Sequence, residues 1–493
     1  MKYLQIVIIL LLMSTAAFAQ VTKPVILFED TSSSYITAGF FTEVDGQIEM
    51  VTQVRGFGIG YVVMDTTFEV LQEYIKPNYA SMGLEDAFKL NDGGYLVTGT
   101  KTTLLQRSRS YNVSALRINA SGDLVFQSIL GDTTIRNFGG KSVIDQFGRV
   151  VVSGSSYKWG SGYTSISLTR FDSTGNLAAY DTYHYNNLNG VTSPSLHGMD
   201  IKELSDGNFV ILASTNRMDD GLLVLFTTQQ GDTLGTHLFG GKEDHAVNLA
   251  TTSDGHFYVL SKDDDPNDYK KVASQVWKFT NMGELVWEKS YTYLDDQGIN
   301  QNVVPLKLRT TSDGGCIVIG GAKGIAPTET LSSIHVAKFS SEGDMQWEIA
   351  ITDSANQYPK DVLQLQDGSY ILNAVYEKVI PQGLDIYNYY ARLSPDGTHV
   401  ATTSVQDEVG SLTVQVSPNP FTNQVEASFT LDQPGTYTAR LYDLQGRVVQ
   451  ETAQQAAAGA QTVRMNTSNL AAGQYVLRIQ ARDSMWSGKV VKR

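Results

Sequence analysis

Short apolar runs separated by polar, glycine-bearing turns recur from about residue 24 to residue 407, and two patterns alternate among them. The first is a turn leading into an apolar strand: Asp92-Gly93-Gly94-Tyr95-Leu96-Val97, then Asp206-Gly207-Asn208-Phe209-Val210-Ile211, Asp254-Gly255-His256-Phe257-Tyr258-Val259, Asp313-Gly314-Gly315-Cys316-Ile317-Val318 and Asp367-Gly368-Ser369-Tyr370-Ile371-Leu372. A weaker copy follows Phe147-Gly148. The second is strand, glycine turn, strand, with turn glycines at 122, 175, 231, 283, 343 and 397. Tyr35-Ile36-Thr37-Ala38-Gly39 and Tyr61-Val62-Val63-Met64 read as a degenerate first unit.

The glycines lie 53, 56, 52, 60 and 54 residues apart, which with the degenerate unit makes seven copies of about 54 residues. Asp-Gly turns supply the positive-φ position a tight hairpin needs, and the flanking β-branched and aromatic residues suit a pleated strand. Each copy therefore reads as a small antiparallel sheet of about four strands, and such units close radially into a β-propeller. No sustained helical period interrupts them.

After residue 410 the rhythm changes. Residues 411–493 hold about seven short strands with frequent turns, the pattern of an immunoglobulin-like β-sandwich. The fold class expected is all-β, a seven-bladed propeller plus this C-terminal sandwich. Pro418-Asn419-Pro420 breaks a strand at its entry, since proline cannot donate to a ladder. At the other end, residues 1–20 carry Lys2, an apolar core from Ile6 to Met13, and Ala17-Phe18-Ala19, the order of a secretory signal peptide cleaved after Ala19. That apolar core falls short of the roughly 20 residues that span a bilayer, and no later run approaches that length, so no transmembrane segment is expected. The domains expected are a signal peptide over 1–19, a propeller over 20–410 and the sandwich over 411–493.

The propeller repeat resembles the arrays of secreted bacterial propeller proteins, most clearly at Val276-Trp277-Lys278-Phe279 with Gly283 and Trp287, and at Val336-Ala337-Lys338-Phe339 with Gly343 and Trp347. That likeness reports a scaffold and no activity. The C-terminal stretch resembles the type A sorting domain of the type IX secretion system. The matching residues are Ser417-Pro418-Asn419-Pro420-Phe421, Leu441-Tyr442-Asp443 with Gly446, Leu470 with Gly473-Gln474-Tyr475, and Lys489-Val490-Val491-Lys492. The resemblance implies export across the outer membrane of a Gram-negative cell, partnership with the secretion machinery and its sorting protease, removal of the domain, and release or attachment at the cell surface. The sorting signal would rest on Pro418, Asn419, Pro420, Gly446, Gly473, Tyr475 and Lys489.

Charge sharpens the division. The 493-residue chain has a net charge of −14, but residues 411–493 hold eight basic residues against five acidic. The chain without them and without Lys2 holds 28 basic against 46 acidic, a balance of −18. Such acidity disfavours nucleic acid as a partner. The single Cys316 excludes an intrachain disulfide and a cysteine-rich metal cluster, and its apolar surroundings place it in the core.

Candidate chemistry is sparse. The seven histidines show no metal-ligand spacing, and neither a nucleophile elbow nor a P-loop is present. No catalytic or cofactor-binding residue is assigned. Asp263, Asp264, Asp265 and Asp268 form a cluster that reads either as a Ca²⁺ site, the one cofactor considered, or as a solvated loop. Tyr183-His184-Tyr185, Tyr291-Thr292-Tyr293 and Tyr387-Asn388-Tyr389-Tyr390 read as ligand-stacking faces or as packing between blades, with packing favoured. The turn Ser340-Ser341-Glu342-Gly343-Asp344-Met345-Gln346-Trp347 lacks the aspartate of a sialidase-type Asp-box. The Gly…Trp spacing is similar to the tryptophan-docking repeats of quinoproteins only at Trp287 and Trp347. The functional expectation is a secreted or cell-surface module binding a glycan or protein. The alternative is a secreted polysaccharide hydrolase or lyase with its site at the channel mouth.

Overall fold

The computed structural model describes residues 36–493 apart from 55–57, 77–81, 105–108, 121–122, 131–134, 159, 217–220, 266–271, 295–299, 325–331, 353–355, 381–382, 401–409, 412–413, 432, 443–447 and 482–483. The signal-peptide residues Ala17 and Ala19, together with Asp268 and Gly446, lie outside the described residues.

Seven antiparallel sheets follow one another along residues 36–76, 82–129, 135–183, 195–239, 244–291, 293–351 and 356–400. Six are four-stranded meanders in chain order, and the sixth along the chain gains a fifth strand from Tyr293–Leu294. We call them blades 1 to 7 and the four strands of each meander A to D; the A strands are Ile36–Val44, Met82–Lys89, Ile135–Ile144, Ser195–Glu203, Asp244–Thr251, Asn300–Thr310 and Asn356–Gln364, and the B strand of blade 5 is Phe257–Asp264. The A strands of neighbouring blades approach one another and line the axis. This is the seven-bladed propeller expected from the repeat.

The turns explain the repeat's signature. In blade 2, Gly93 N donates to Leu90 O at 2.9 Å and Leu90 N to Gly94 O at 2.8 Å, with Gly93 at φ +81°. This is a type I turn closed by a left-handed glycine, a conformation a side chain resists. The Asp92 carboxylate accepts the Gly94 N–H at 3.0 Å, which accounts for the Asp before the Gly. The same bonding recurs at Asp206, Asp254, Asp313 and Asp367.

One register differs from the sequence reading. Residues 35–39 were matched to the turn-and-strand pattern, whereas Ile36–Val44 is the A strand of blade 1 and the turn is Asp45-Gly46, both with positive φ. Gln47–Val54 is then the B strand.

Apolar faces pack between blades. Leu212, Val224, Leu249, Phe257 and Val259 form one buried cluster across the seam of blades 4 and 5, and equivalent clusters fill five further seams. Each fully buried aliphatic residue contributes about 1.5–3 kcal/mol. The last seam, between blades 7 and 1, carries the bond from Gln366 N to Glu43 Oε2 at 2.8 Å and the contact of Tyr390 Oη with Met50 Sδ at 3.2 Å. Side-chain contacts thus close the ring, and among the described residues each blade is built from one continuous stretch of chain. Cys316 is fully buried, and burial pushes its thiol up to about 12.

The second unit is a β-sandwich. One sheet contains Gly410–Ser411, Ser484–Lys492, Gly473–Ala481, Gly435–Tyr442 and Val448–Ala456; the other contains Gln415–Ser417, Gln424–Leu431 and Gly459–Asn466. Alternating residues such as Val425, Ala427, Phe429 and Leu431 point into a core shared with Tyr437, Leu441, Leu477 and Ile479. No helix among the described residues is long and apolar enough to cross a membrane.

Candidate ligand site in the propeller channel

The A strands bring together charged residues that are far apart in sequence. Asp86, Lys141, Asp200, Asn248, Lys307 and Asp361 stand on the A strands of blades 2 to 7. At each of these positions except Lys141 the residue is followed six positions later by the turn aspartate, and the strand register slips beside it. Blade 3 has its own slip around Lys141, between the pairs Val152/Ser142 and Gly154/Gly139. A bulge re-aims a side chain, and here the acidic and amide side chains reach sideways to the next blade.

Asp86 Oδ2 accepts Ser142 N at 3.1 Å, Asp200 Oδ2 accepts Leu249 N at 2.8 Å, and Asn248 Oδ1 accepts Leu308 N at 2.8 Å. Asn248 Nδ2 also donates to Leu308 O at 3.0 Å. Asp361 takes a two-pronged bond from Arg309 of blade 6 at 2.9 and 2.6 Å. Asp200 is fully buried and pairs with Lys202 at 2.8 Å. Burial works to raise its pKa, but Lys202, Lys307 and the Leu249 N–H together bring it below the ordinary carboxylate value. Asp86, Asp200 and Asp361 are thus fastened to backbone and cations, whereas the neighbouring Glu85 has its pKa raised, by burial first, against the pull of Lys141.

At the turn end of the channel the A strands diverge around a cavity of about 380 Å³. Asp86, Phe88, Lys202, Thr251, Lys307, Arg309, Thr310 and Gln364 are among its lining residues. Lys202 has Asp200 and Arg309 has Asp361. Lys307 differs: among the described residues no hydrogen bond or ion pair reaches its Nζ. Burial first and Lys141 second pull its pKa down, against the opposing pull of Asp361 and Asp86.

The residues singled out in the sequence lie elsewhere. Asp263 and Asp264 end the B strand of blade 5; Asp264 pairs with Lys262 at 2.7 Å, and Asp263 faces Asp244 across the strands. Among the described residues no group of three or more His, Cys, Asp and Glu is arranged to hold a metal ion. The tyrosine clusters go to the seams: Tyr183 Oη donates to Gly231 O at 2.8 Å, His184 stacks on Tyr163 at 3.7 Å, and Tyr291, Tyr389 and Tyr390 are buried. None of Tyr183, His184, Tyr291, Tyr389 and Tyr390 lines the cavity. The tryptophans of the Gly…Trp spacing dock on the next blade, with Trp287 Nε1 donating to Ser341 O at 2.9 Å and Trp347 Nε1 to Pro395 O at 3.1 Å. The basic residues of the two Lys-Phe strand endings differ: Lys338 returns to its own blade's turn at Asp313, 2.8 Å away, whereas Lys278 Nζ donates to Ser341 O of the next blade at 3.0 Å.

In the sandwich, Pro418-Asn419-Pro420 occupies the connection between Gln415–Ser417 and Gln424–Leu431, with both X-Pro bonds cis. The next residue, Phe421, is fully buried and pairs its backbone with the strand Ser484–Lys492: Phe421 N donates to Val491 O at 2.8 Å, and Arg493 N to Phe421 O at 2.9 Å. Asn419 Oδ1 accepts Val491 N at 2.9 Å, and the buried Lys492 Nζ donates to Thr422 O at 2.7 Å. Tyr475 is buried, with Oη donating to Ala471 O at 2.7 Å; Gly473 opens its strand, and Lys489 pairs with Val476. Two motifs some 70 residues apart therefore form one structural corner.

Residues 415–493 match the family described as secretion system C-terminal sorting domain. The chain therefore carries a type IX sorting domain, which directs export to the cell surface or the extracellular space. No curated protein matches the chain. Among solved structures, it is similar to the periplasmic gluconolactonase PpgL of Pseudomonas aeruginosa, at 12% identity and a TM-score of 0.43, covering 88% of this chain and 99% of that one. The polysaccharide lyase Uly1 is similar at 9% identity and 0.42, covering 73% and 90%. The β-propeller domain of the Trilobed protease from Pyrococcus furiosus is similar at 9% identity and 0.38, covering 76% and 98%. Likeness this remote says nothing of ligand or reaction.

Proposed function

We propose that the propeller is a binding module working outside the cell, delivered there by the sorting domain. In this reading the signal peptide ends at Ala19, the working part is residues 20–410, and residues 411–493 are removed by the sorting protease. Release or surface attachment follows. The sorting corner built by Pro418, Asn419, Pro420 and Phe421 on the strand Ser484–Lys492 is the part the machinery reads.

The observation that carries the binding role is the use of the channel carboxylates. Glycoside hydrolysis needs one carboxylic acid and one carboxylate facing a shared bond. Asp86, Asp200 and Asp361 are instead engaged by Ser142 N, Leu249 N and Arg309. What remains at the mouth is a cavity with cationic, hydroxyl and aromatic lining, a composition suited to holding a ligand.

The test is retention of the purified protein on a glycan and surface-protein array, with reducing ends and unsaturated products measured on any polysaccharide retained. Saturable retention without product is expected. Product release would replace this reading with a hydrolase or lyase, and retention of nothing would remove it.

A further inference from the structure

The cavity at the channel mouth contains one ammonium that no hydrogen bond or ion pair reaches among the described residues. Of its three lining cations, Lys202 is bound by Asp200 and Arg309 by Asp361, at 2.8 Å and 2.6 Å. Lys307 stands between blades 5 and 7 on the A strand of blade 6, with no hydrogen-bond or ion-pair partner among the described residues. Lys141 and Arg309 both repel it, while Asp361 and Asp86 act on it from a distance. Across the channel the cations Lys141, Lys202, Lys307 and Arg309 face the carboxylates Glu85, Asp86, Asp200 and Asp361; Glu85 acts on Lys141, and Lys307 acts on Asp200 without an ion pair to it. A partly desolvated ammonium without a partner is costly, and an anion entering the cavity removes that cost.

We infer that this cavity is a subsite for a carboxylate-bearing ligand about the size of one sugar residue, such as a uronic acid unit, with Lys307 Nζ holding the carboxylate. The inference rests on the binding reading and specifies its ligand class. One uncommitted ammonium matches one carboxylate charge, whereas a phosphate at pH 7 brings about 1.5 to 2 negative charges, more than one ammonium offsets. The volume of about 380 Å³ lies within the range of small-ligand pockets and admits one ring. Thr251 and Thr310 place hydroxyls on the wall, and Phe88 offers an apolar face for a sugar ring.

The test is titration calorimetry of the full chain with glucuronate, glucose and acetate, on the wild type and Lys307→Met. Glucuronate is expected to bind saturably, and to bind at least about tenfold more weakly to Lys307→Met. Glucose and acetate are expected to fall short by a similar factor on the wild type. Unchanged glucuronate affinity in Lys307→Met overturns the inference, as does absence of glucuronate binding. Acetate binding as tightly as glucuronate overturns the assignment to a sugar-sized ligand. Should Lys307→Met fail to fold, protection of wild-type Lys307 from acetylation, read by peptide mass spectrometry, gives the same answer: glucuronate protects and glucose does not. Array retention of neutral glycans with no response to glucuronate would leave the binding module standing and remove this subsite alone.

Discussion

Asp200 of blade 4 accepts the backbone N–H of Leu249 in blade 5 at 2.8 Å, so one fully buried carboxylate spans the seam between two blades. It also holds Lys202 and caps Ile201 N at 2.7 Å within its own strand. Asp200→Ala leaves a buried amide and an ammonium without their acceptor, a change that costs about 3–5 kcal/mol. Asp200→Asn keeps an acceptor and should cost less. Denaturant unfolding followed by tryptophan fluorescence measures both; equal, small losses would show that the carboxylate is not holding the seam.

Trp287 lies against the turn of Gly343, where φ is +85° and an added Cβ would come within 2.8 Å of the indole. Gly343→Ala meets both a disfavoured backbone conformation and this ring, and should lower stability by about 1–3 kcal/mol. Trp287→Ala, a half-buried truncation, should lower it by up to about 3 kcal/mol. Because both disturb the same contact, the double variant should lose less than the sum. Strict additivity in melting experiments would separate the two residues.

These docking contacts show how much could be read in advance. The blade count, turn type and sandwich were legible because a left-handed glycine after Asp and a two-residue strand period are local requirements of the backbone. Blade 1 was misregistered because its turn glycine, Gly46, is followed three residues on by Glu49, where the other copies carry Leu96, Val210, Tyr258, Ile317 and Ile371. The channel was not read, because Asp86, Asp200 and Asp361 are brought together only by ring closure. A signal for them existed: Asp86, Asp200, Asn248, Lys307 and Asp361 each stand six residues before the turn aspartate. Lys307, like Lys141 of blade 3, is a cation in a column otherwise acidic or amide. The tyrosine pairs carried no such register, and their clustering reflects seams.

Acid should weaken the turns. The Thr252 hydroxyl, followed by His256 N, holds Asp254 down to about 2, and the Ser394 hydroxyl, followed by Thr398 N, does the same for Asp396. A carboxylate with a folded value below its unfolded value of about 4 stabilises the fold above that pH and loses its contribution as pH falls toward 2. Asp244 has the opposite sign. Burial first, opposed by Gly241 N and aided by Asp263 and Glu288, pushes it up to about 6, so its contribution declines as pH rises from about 4 through 6. Melting temperatures across pH 2–7 should fall below pH 4 in the wild type. The fall should be shallower in the Asp254→Asn, Asp396→Asn double variant, and Asp244→Asn should flatten the range from 4 to 6.

The corner of the sandwich offers a separate test. Phe421→Ala removes a fully buried ring from the core and should destabilise the sandwich by about 3–5 kcal/mol. Asn419→Ala removes the acceptor for Val491 N, a bond worth about 1 kcal/mol. Limited proteolysis should therefore cut the sandwich rapidly in Phe421→Ala and slowly in Asn419→Ala. If secretion fails equally in both, recognition of Asn419 itself, rather than folding, is what the machinery reads.

The most direct measurement is intact-mass spectrometry of medium, surface and periplasmic fractions from cells producing either the full chain or a chain ending at Gly410. The full chain should appear outside the cell as a product beginning at Gln20 and lacking residues 411–493, while the shorter chain should stay in the periplasm. Export of the shorter chain at the level of the full one would contradict a propeller delivered by its sorting domain.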